Sequence, residues 1–157
     1  MIVGFEPVIA KDTEILILGS MPSVTSLTKK EYYGFAHNRF WKVMSQIYQM
    51  PIDTYEEKLN IITSQKLALW DVIHACEREG SLDSAIHNEI VNPIDQLLYQ
   101  YPSIHTIICN GKKSYQTYMK YFKHLNIKVV SLPSTSNANA IWKLDQLCAV
   151  WKENLKK

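Results

Sequence analysis

Four short apolar runs, three of them closed by a small or polar turn, constrain this chain more than any other feature. The first is Ile15-Leu16-Ile17-Leu18, partly β-branched and stopped by Gly19. A run of that length without polar alternation is the pattern of a strand buried on both faces. The others are Leu67 to Ile73, Ile104 to Cys109 and Ile127 to Leu132. Segments of helical character separate them. Phe40, Val43, Met44 and Ile47 recur at helical spacing, and Thr54-Tyr55-Glu56-Glu57 reads as a capping box opening a helix to about Gln65. Asn92-Pro93 is a cap followed by proline at a first helical position, for a helix to about Tyr101. Ser81-Leu82-Asp83-Ser84 has the look of a further local cap after the turn Arg78-Glu79-Gly80-Ser81. Another helix begins near Lys112, and from Asn139 to Asn154 the residues Ile141, Leu144, Cys148 and Trp151 share one face. Strands alternating with helices imply a parallel sheet covered on both sides through right-handed crossovers. The expected fold is therefore α/β, a three-layer α/β/α sandwich around a central parallel four-stranded sheet, in a single domain over residues 1–157.

The totals exclude several classes. A chain of 157 residues can bury roughly two thirds of its unfolded surface. A formal net charge of +2 permits a nucleic-acid partner without arguing for one. Cys76, Cys109 and Cys148 are odd in number and contain no C-x-x-C pair, against a disulfide framework or an iron–sulfur cluster. His37, His74, His87, His105 and His124 lack metal-site spacing, so no metal and no cofactor is expected. No basic segment leads into a long apolar one, and no window approaches the ~20 apolar residues a bilayer needs. These features point to a cytoplasmic protein with no membrane partner.

In a parallel sheet all carboxyl ends lie on one edge, where open α/β folds place their ligands. Three runs end in small or polar turns, at Gly19-Ser20, Asn110-Gly111 and Pro133-Ser134. That edge would gather Ser20, Phe35, Asn38, Asp71, Asn110 and Ser134 into one cleft. The stretch Tyr32-Tyr33-Gly34-Phe35, followed by His37-Asn38-Arg39, offers rings for stacking beside an amide. The blander alternative makes Asn38 a helix N-cap and the aromatics core.

Two of these segments, GSMPS with YYGFAHNRFWKVM and LPSTSNANA, stand about a hundred residues apart. Together they resemble the two motifs of the uracil-DNA glycosylase superfamily, and most closely its hypoxanthine (deoxyinosine) branch. The resemblance implies a monofunctional enzyme that hydrolyses the N-glycosidic bond of a deaminated nucleotide in DNA, acting as a monomer. Such an enzyme extrudes its base, stacks it, places a water and receives the departing base with donors. Phe35 matches the mismatch branch's stacking ring if two residues are deleted before Asn38, and Tyr33 is its substitute. Where uracil branches carry Asp or Asn in the first motif this chain has Ser20, so the water-orienting role passes to Asn38. Asp71 is the rival as a general base.

Asn38 and Ser134 are thus the expected catalytic residues, with Phe35, Tyr33, Ser20, Asp71 and Leu132 binding substrate. Leu132 replaces a His or Asn donor to the pyrimidine and suits a larger purine. Ser23, Ser136, Arg39 and Lys112 are expected on the DNA backbone, with Ser134 and Ser20 also able to donate to phosphates. Ser136-Asn137 occupies the region of the usual leucine wedge, which implies reliance on easily opened lesions or single strands. His37 is the histidine expected near the leaving base. The alternatives are a uracil or G:T/U mismatch glycosylase, and a catalytically silent nucleic-acid-binding domain.

Overall fold

The computed structural model describes residues 1–156. In chain order the elements are β1 (Ile2–Val3), β2 (Ile15–Gly19), α1 (Val24–Lys29), α2 (Phe40–Tyr48), α3 (Tyr55–Ser64), β3 (Leu67–Asp71) and β4 (Ile73–Glu77). A single 3-10 turn at Asp83–Ala85 follows, then β5 (His87–Val91), α4 (Ile94–Gln100), β6 (Thr106–Asn110), α5 (Lys112–Phe122), β7 (Lys128–Leu132) and α6 (Leu144–Leu155). Four strands form one parallel sheet in the order β3-β2-β6-β7.

The expected three-layer architecture follows from how each strand distributes its side chains. Alternate residues point to opposite faces, and here both faces are dry. Ile17, Leu67, Leu69, Ile108 and Leu132 pack on one side against Phe40, Met44 and Ile47 of α2, Ile61 and Ile62 of α3, and Leu147 and Trp151 of α6. Leu16, Leu18, Ala68, Trp70, Ile107 and Cys109 pack on the other against Ile94 and Leu97 of α4 and Tyr118 and Phe122 of α5. Two-sided burial is why the runs lack polar alternation. On the outer side of β3, Val8 exchanges two backbone hydrogen bonds of 2.9 Å with Leu69 and covers the edge. All three cysteines are free and buried, and burial pushes the Cys109 thiol up to about 12.

Four local expectations need correction. The apolar run 67–73 is not one strand: the chain leaves the sheet at Val72, and Ile73–Glu77 joins a second, antiparallel sheet of order β1-β4-β5. Its partner strand, HNEIV, is largely exposed and carries little strand pattern. Asn92 does not cap α4, which starts at Ile94. Its side-chain amide donates instead to the Asp71 carbonyl at 2.7 Å. The last helix begins at Leu144, leaving 133–143 as a loop. The segment after Pro22 also contains a short helix, α1, capped by Ser23. The capping box of α3 is present as expected, with Thr54 accepting from Glu57 N and Glu57 accepting from Thr54 N.

Candidate active site

The last residues of the four parallel strands are Gly19, Asp71, Asn110 and Leu132, and all four line one cleft of about 1180 Å³. Two glycines let the loops close together there. A Cβ on Gly19 would lie 2.4 Å from Asp71 Oδ1 and 3.2 Å from the Tyr33 hydroxyl. Gly111 has φ +97°, and a Cβ on it would sit 3.0 Å from Ser134 Cβ, so the second-motif loop rests directly on that backbone.

The aromatic loop is pinned from both neighbouring helices. Ser26 of α1 accepts from Gly34 N at 2.9 Å, and the Trp41 indole donates to Tyr32 O at 2.8 Å. Tyr33 has φ +52°, a conformation that a non-glycine residue holds only when its surroundings impose it. Its ring lies stacked on Phe40, centroids 4.1 Å apart and 19° from parallel. One face of Tyr33 is therefore taken, and it forms a wall of the cleft, with burial holding its hydroxyl protonated. Phe35 is half-buried and lines the cleft, with the His37 ring edge-on to it at 5.3 Å between centroids.

Asn38 sits in the turn closed by its own N–H donating to Phe35 O at 2.9 Å. Its Oδ1 accepts twice, from Phe40 N at 2.9 Å and from the Thr135 hydroxyl at 2.9 Å. A backbone N–H can only donate, so the amide cannot be turned the other way round. Both lone pairs are engaged, and the part of Asn38 still free to bond is its NH2. Thr135 is itself fully buried, with its N–H donating to Asn110 Oδ1 and its hydroxyl accepting from Asn110 Nδ2, each at 3.0 Å. The other Asn110 N–H reaches the Tyr33 hydroxyl at 3.3 Å. The chain Tyr33–Asn110–Thr135–Asn38 thus fixes the direction of one amide.

Asp71 is 6 % exposed, and its Oδ2 is buried with no hydrogen-bond partner. Loss of water, helped by the nearby Asp83 carboxylate and opposed by Arg78, pushes its carboxyl up to about 7. Ser20 donates its proton to Asp83 Oδ1 at 2.7 Å, which leaves its hydroxyl only lone pairs to offer. Among the described residues no cluster of three or more His, Cys, Asp or Glu could hold a metal ion.

A cleft at the carboxyl edge with this loop composition places the chain among known proteins. A model of the Uracil DNA glycosylase superfamily matches residues 6–155. The chain belongs to that superfamily. Among its relatives are the hypoxanthine DNA glycosylases of Methanosarcina barkeri, 37 % identical over 138 residues, and of Methanosarcina acetivorans, 38 % identical over 138 residues. In each case the match covers 87 % of both chains. The solution NMR structure of a proposed uracil DNA glycosylase from Methanosarcina acetivorans superposes with TM-score 0.82 at 35 % identity, covering 96 % of each chain.

Against this superfamily frame, several residues stand elsewhere than expected. Arg39 does not reach outward to DNA: its guanidinium donates to the carbonyls of Ser136 at 2.8 Å, Asn139 at 3.1 Å, Thr135 at 3.4 Å and Trp142. It is a clamp on the second-motif loop. Ser23 spends its proton on Ser26 Oγ at 3.0 Å and accepts from Ser26 N, so it caps α1 and has no hydrogen left for a phosphate. Leu132, 4 % exposed, belongs to the α2/α6 core and contributes only to the cleft floor. His37 is exposed and outside the cleft lining.

Ser134 and Ser136 do line the cleft, each accepting from the backbone N–H two residues on, at 3.1 and 3.2 Å. Neither hydroxyl donates to another group among the described residues. Lys112 lines it too, at the first turn of α5, with Lys113 beside it. Sequence reasoning missed Thr135, Asp83 and the exposed apolar pair Leu82 and Ile141, which also line the cleft. Thr135 could have been suspected from its place inside the motif; Asp83 reaches Ser20 across a sequence gap that no local pattern signals.

Proposed function

We propose that this protein is a monofunctional DNA glycosylase that releases hypoxanthine from deoxyinosine by hydrolysis, initiating base excision repair. The observation that carries the reading is the polarity of Asn38: a fixed amide with both lone pairs engaged offers the cleft only donors. A purine leaving with negative charge needs donors, and a pre-aimed one stabilises that charge without reorganisation. Two relatives that match most of this chain are hypoxanthine DNA glycosylases.

In this mechanism the extruded base stacks on Phe35, a contact worth roughly 1–3 kcal/mol. Asn38 Nδ2 donates to an acceptor on the base, while Thr135 and Asn110 hold the amide in register. The earlier assignment of Asn38 as a water-orienting acceptor gives way, because no lone pair remains for a water proton. Ser134 and Ser136 hydroxyls and the Lys112 and Lys113 ammonium groups serve the DNA backbone on either side of the cleft, α5 presenting its N-terminus there. The protein meets DNA bearing a deaminated base as a monomer in the cytoplasm. No helix among the described residues is long and apolar enough to cross a membrane.

Excision from oligonucleotides carrying deoxyinosine, deoxyuridine, deoxyxanthosine or a G:T pair tests the reading. Release is expected from deoxyinosine first, with no strand scission before alkali. Preferential release from deoxyuridine or G:T would install the mismatch alternative, and binding without product the silent module.

The expectation that no wedge exists is revised by Ile141. It is 84 % exposed on the rim of the cleft, on the loop that Arg39 clamps, with exposed Leu82 also on the rim. An apolar side chain exposed to water at a DNA site, on a loop whose backbone is clamped, is suited to fill the gap left by an extruded base. Burying an isoleucine contributes about 1.5–3 kcal/mol. Ile141→Ala should therefore slow single-turnover release from duplex about tenfold or more and leave release from a single strand unchanged.

A further inference from the structure

We infer that Asp71, as a neutral carboxylic acid, donates its proton to an unglycosylated ring nitrogen of the departing purine, and so acts as the general acid of the reaction. The inference rests on the glycosylase reading above and deepens it.

Four features of the site support it. Asp71 is the last residue of β3, paired directly with Gly19 at the end of β2, so its side chain stands between the first motif and the cleft. The missing Cβ of Gly19 makes the room: Asp71 Oδ1 occupies space that any other residue there would fill. The backbone is held on both sides, with Asn92 Nδ2 donating to Asp71 O at 2.7 Å and Val72 N donating to Gly19 O at 2.9 Å. Yet no group among the described residues hydrogen-bonds the carboxyl, and Oδ2 is buried and unpartnered. A carboxylate in a structural role collects N–H donors or a cation. This one is rigidly placed, walled off from water and unpaired, the setting that keeps a carboxylic acid protonated near neutrality for proton donation.

The groups facing it account for the poise. Tyr32 and Tyr33 of the aromatic loop bring bulk that excludes water, Asp83 of the 3-10 turn adds a negative charge, and Arg78 beyond β4 adds a positive one. Arg78 is anchored by donating to Pro22 O at 2.7 Å and makes no ion pair with Asp71.

The step balances. The C1′–N9 bond breaks with its electron pair going to the purine, and the Asp71 proton passes to N7 or N3 of the ring. A water oxygen bonds to C1′ and releases one proton, which returns Asp71 to its acid form directly or through solvent. Hypoxanthine leaves as the neutral base and the sugar as the hemiacetal.

The experiment is a pH profile of single-turnover release from a deoxyinosine duplex by the wild type and by Asp71→Asn, which keeps the shape and removes the transferable proton. The wild-type rate should be highest below pH ~7 and fall as pH rises through that value. At pH ~6 the variant should be about 10²-fold slower, with a flat profile that meets the wild type at high pH. Asp83→Asn, removing a charge that favours the acid form, should move the alkaline limb to lower pH. Substrates with 7-deaza or 3-deazadeoxyinosine identify the accepting nitrogen, since one of them should make wild type and Asp71→Asn equal.

An Asp71→Asn profile that is slower but parallel to the wild type would overturn the inference and leave the glycosylase reading standing. So would a wild-type advantage unchanged on both deaza substrates. No release of hypoxanthine by the wild type at any pH would overturn both.

Discussion

Asn38→Asp abolishes excision as thoroughly as Asn38→Ala, by a factor of about 10² to 10³, while the protein stays folded. The size is that of losing one pre-aimed donor to developing negative charge. The aspartate is the sharper variant, because it keeps what Asn38 does for the fold. One carboxylate oxygen can still accept from Phe40 N and the Thr135 hydroxyl, the two bonds that Oδ1 makes now. An acidic group just before the start of α2 is favourable to the helix, whereas alanine forfeits both of those hydrogen bonds, each worth about 1 kcal/mol. The second oxygen, in place of NH2, would turn negative charge toward the leaving base. If Asn38 instead held the water by accepting from it, aspartate would serve as well or better. Single-turnover rates on a deoxyinosine duplex, paired with thermal melting, separate the two. Substantial activity in Asn38→Asp with a lost activity in Asn38→Ala would reverse the polarity argued here.

A second large effect is expected in stability. The folded-state value of Asp71, about 7, stands above its ordinary 3.8. The native protein therefore binds a proton that the unfolded chain releases between these values. Stability from this group is greatest below pH ~4, declines as pH rises toward 7, and is constant above it. At 1.36 kcal/mol for each pH unit of displacement, the decline amounts to at most about 4 kcal/mol. Asp71→Asn should remove that slope. Denaturant titrations at pH 5 and pH 8 should show the variant gaining on the wild type with rising pH, although other carboxylates tilt both curves the opposite way. An unchanged difference between the two proteins at both pH values would mean that Asp71 is ionised in the folded state. The variant that loses catalysis would thus gain stability relative to the wild type as pH rises, since the site keeps an acid largely screened from water.

The sheet was readable because its strands are buried on both faces: Ile15–Leu18 and Ile107–Cys109 have no polar residue to blur the run. The β4–β5 ribbon was not, since His87-Asn88-Glu89 lies exposed at an edge and apolar periodicity says nothing about such a strand. Residues at strand ends were placed correctly in one cleft by topology alone. What each does there was less legible. Asn38, Arg39 and Ser23 each have a polar group that a sequence can count but whose partner it cannot name. The partners of Arg39 lie 96 to 103 residues away, and those of Ser23 three. Asp71 reads as an ordinary turn residue until its surroundings are known to be dry.

The Arg39 fork joins the entrance of α2 to carbonyls contributed by residues 135 to 142, and Thr135 alone reaches back to aim the Asn38 amide. Without that loop the stacking ring and the strand ends would remain, but the amide would keep only its bond from Phe40 N. The heading of the catalytic amide thus depends on a contact closed across 97 residues of sequence, so the site is complete only once the two motif loops have met.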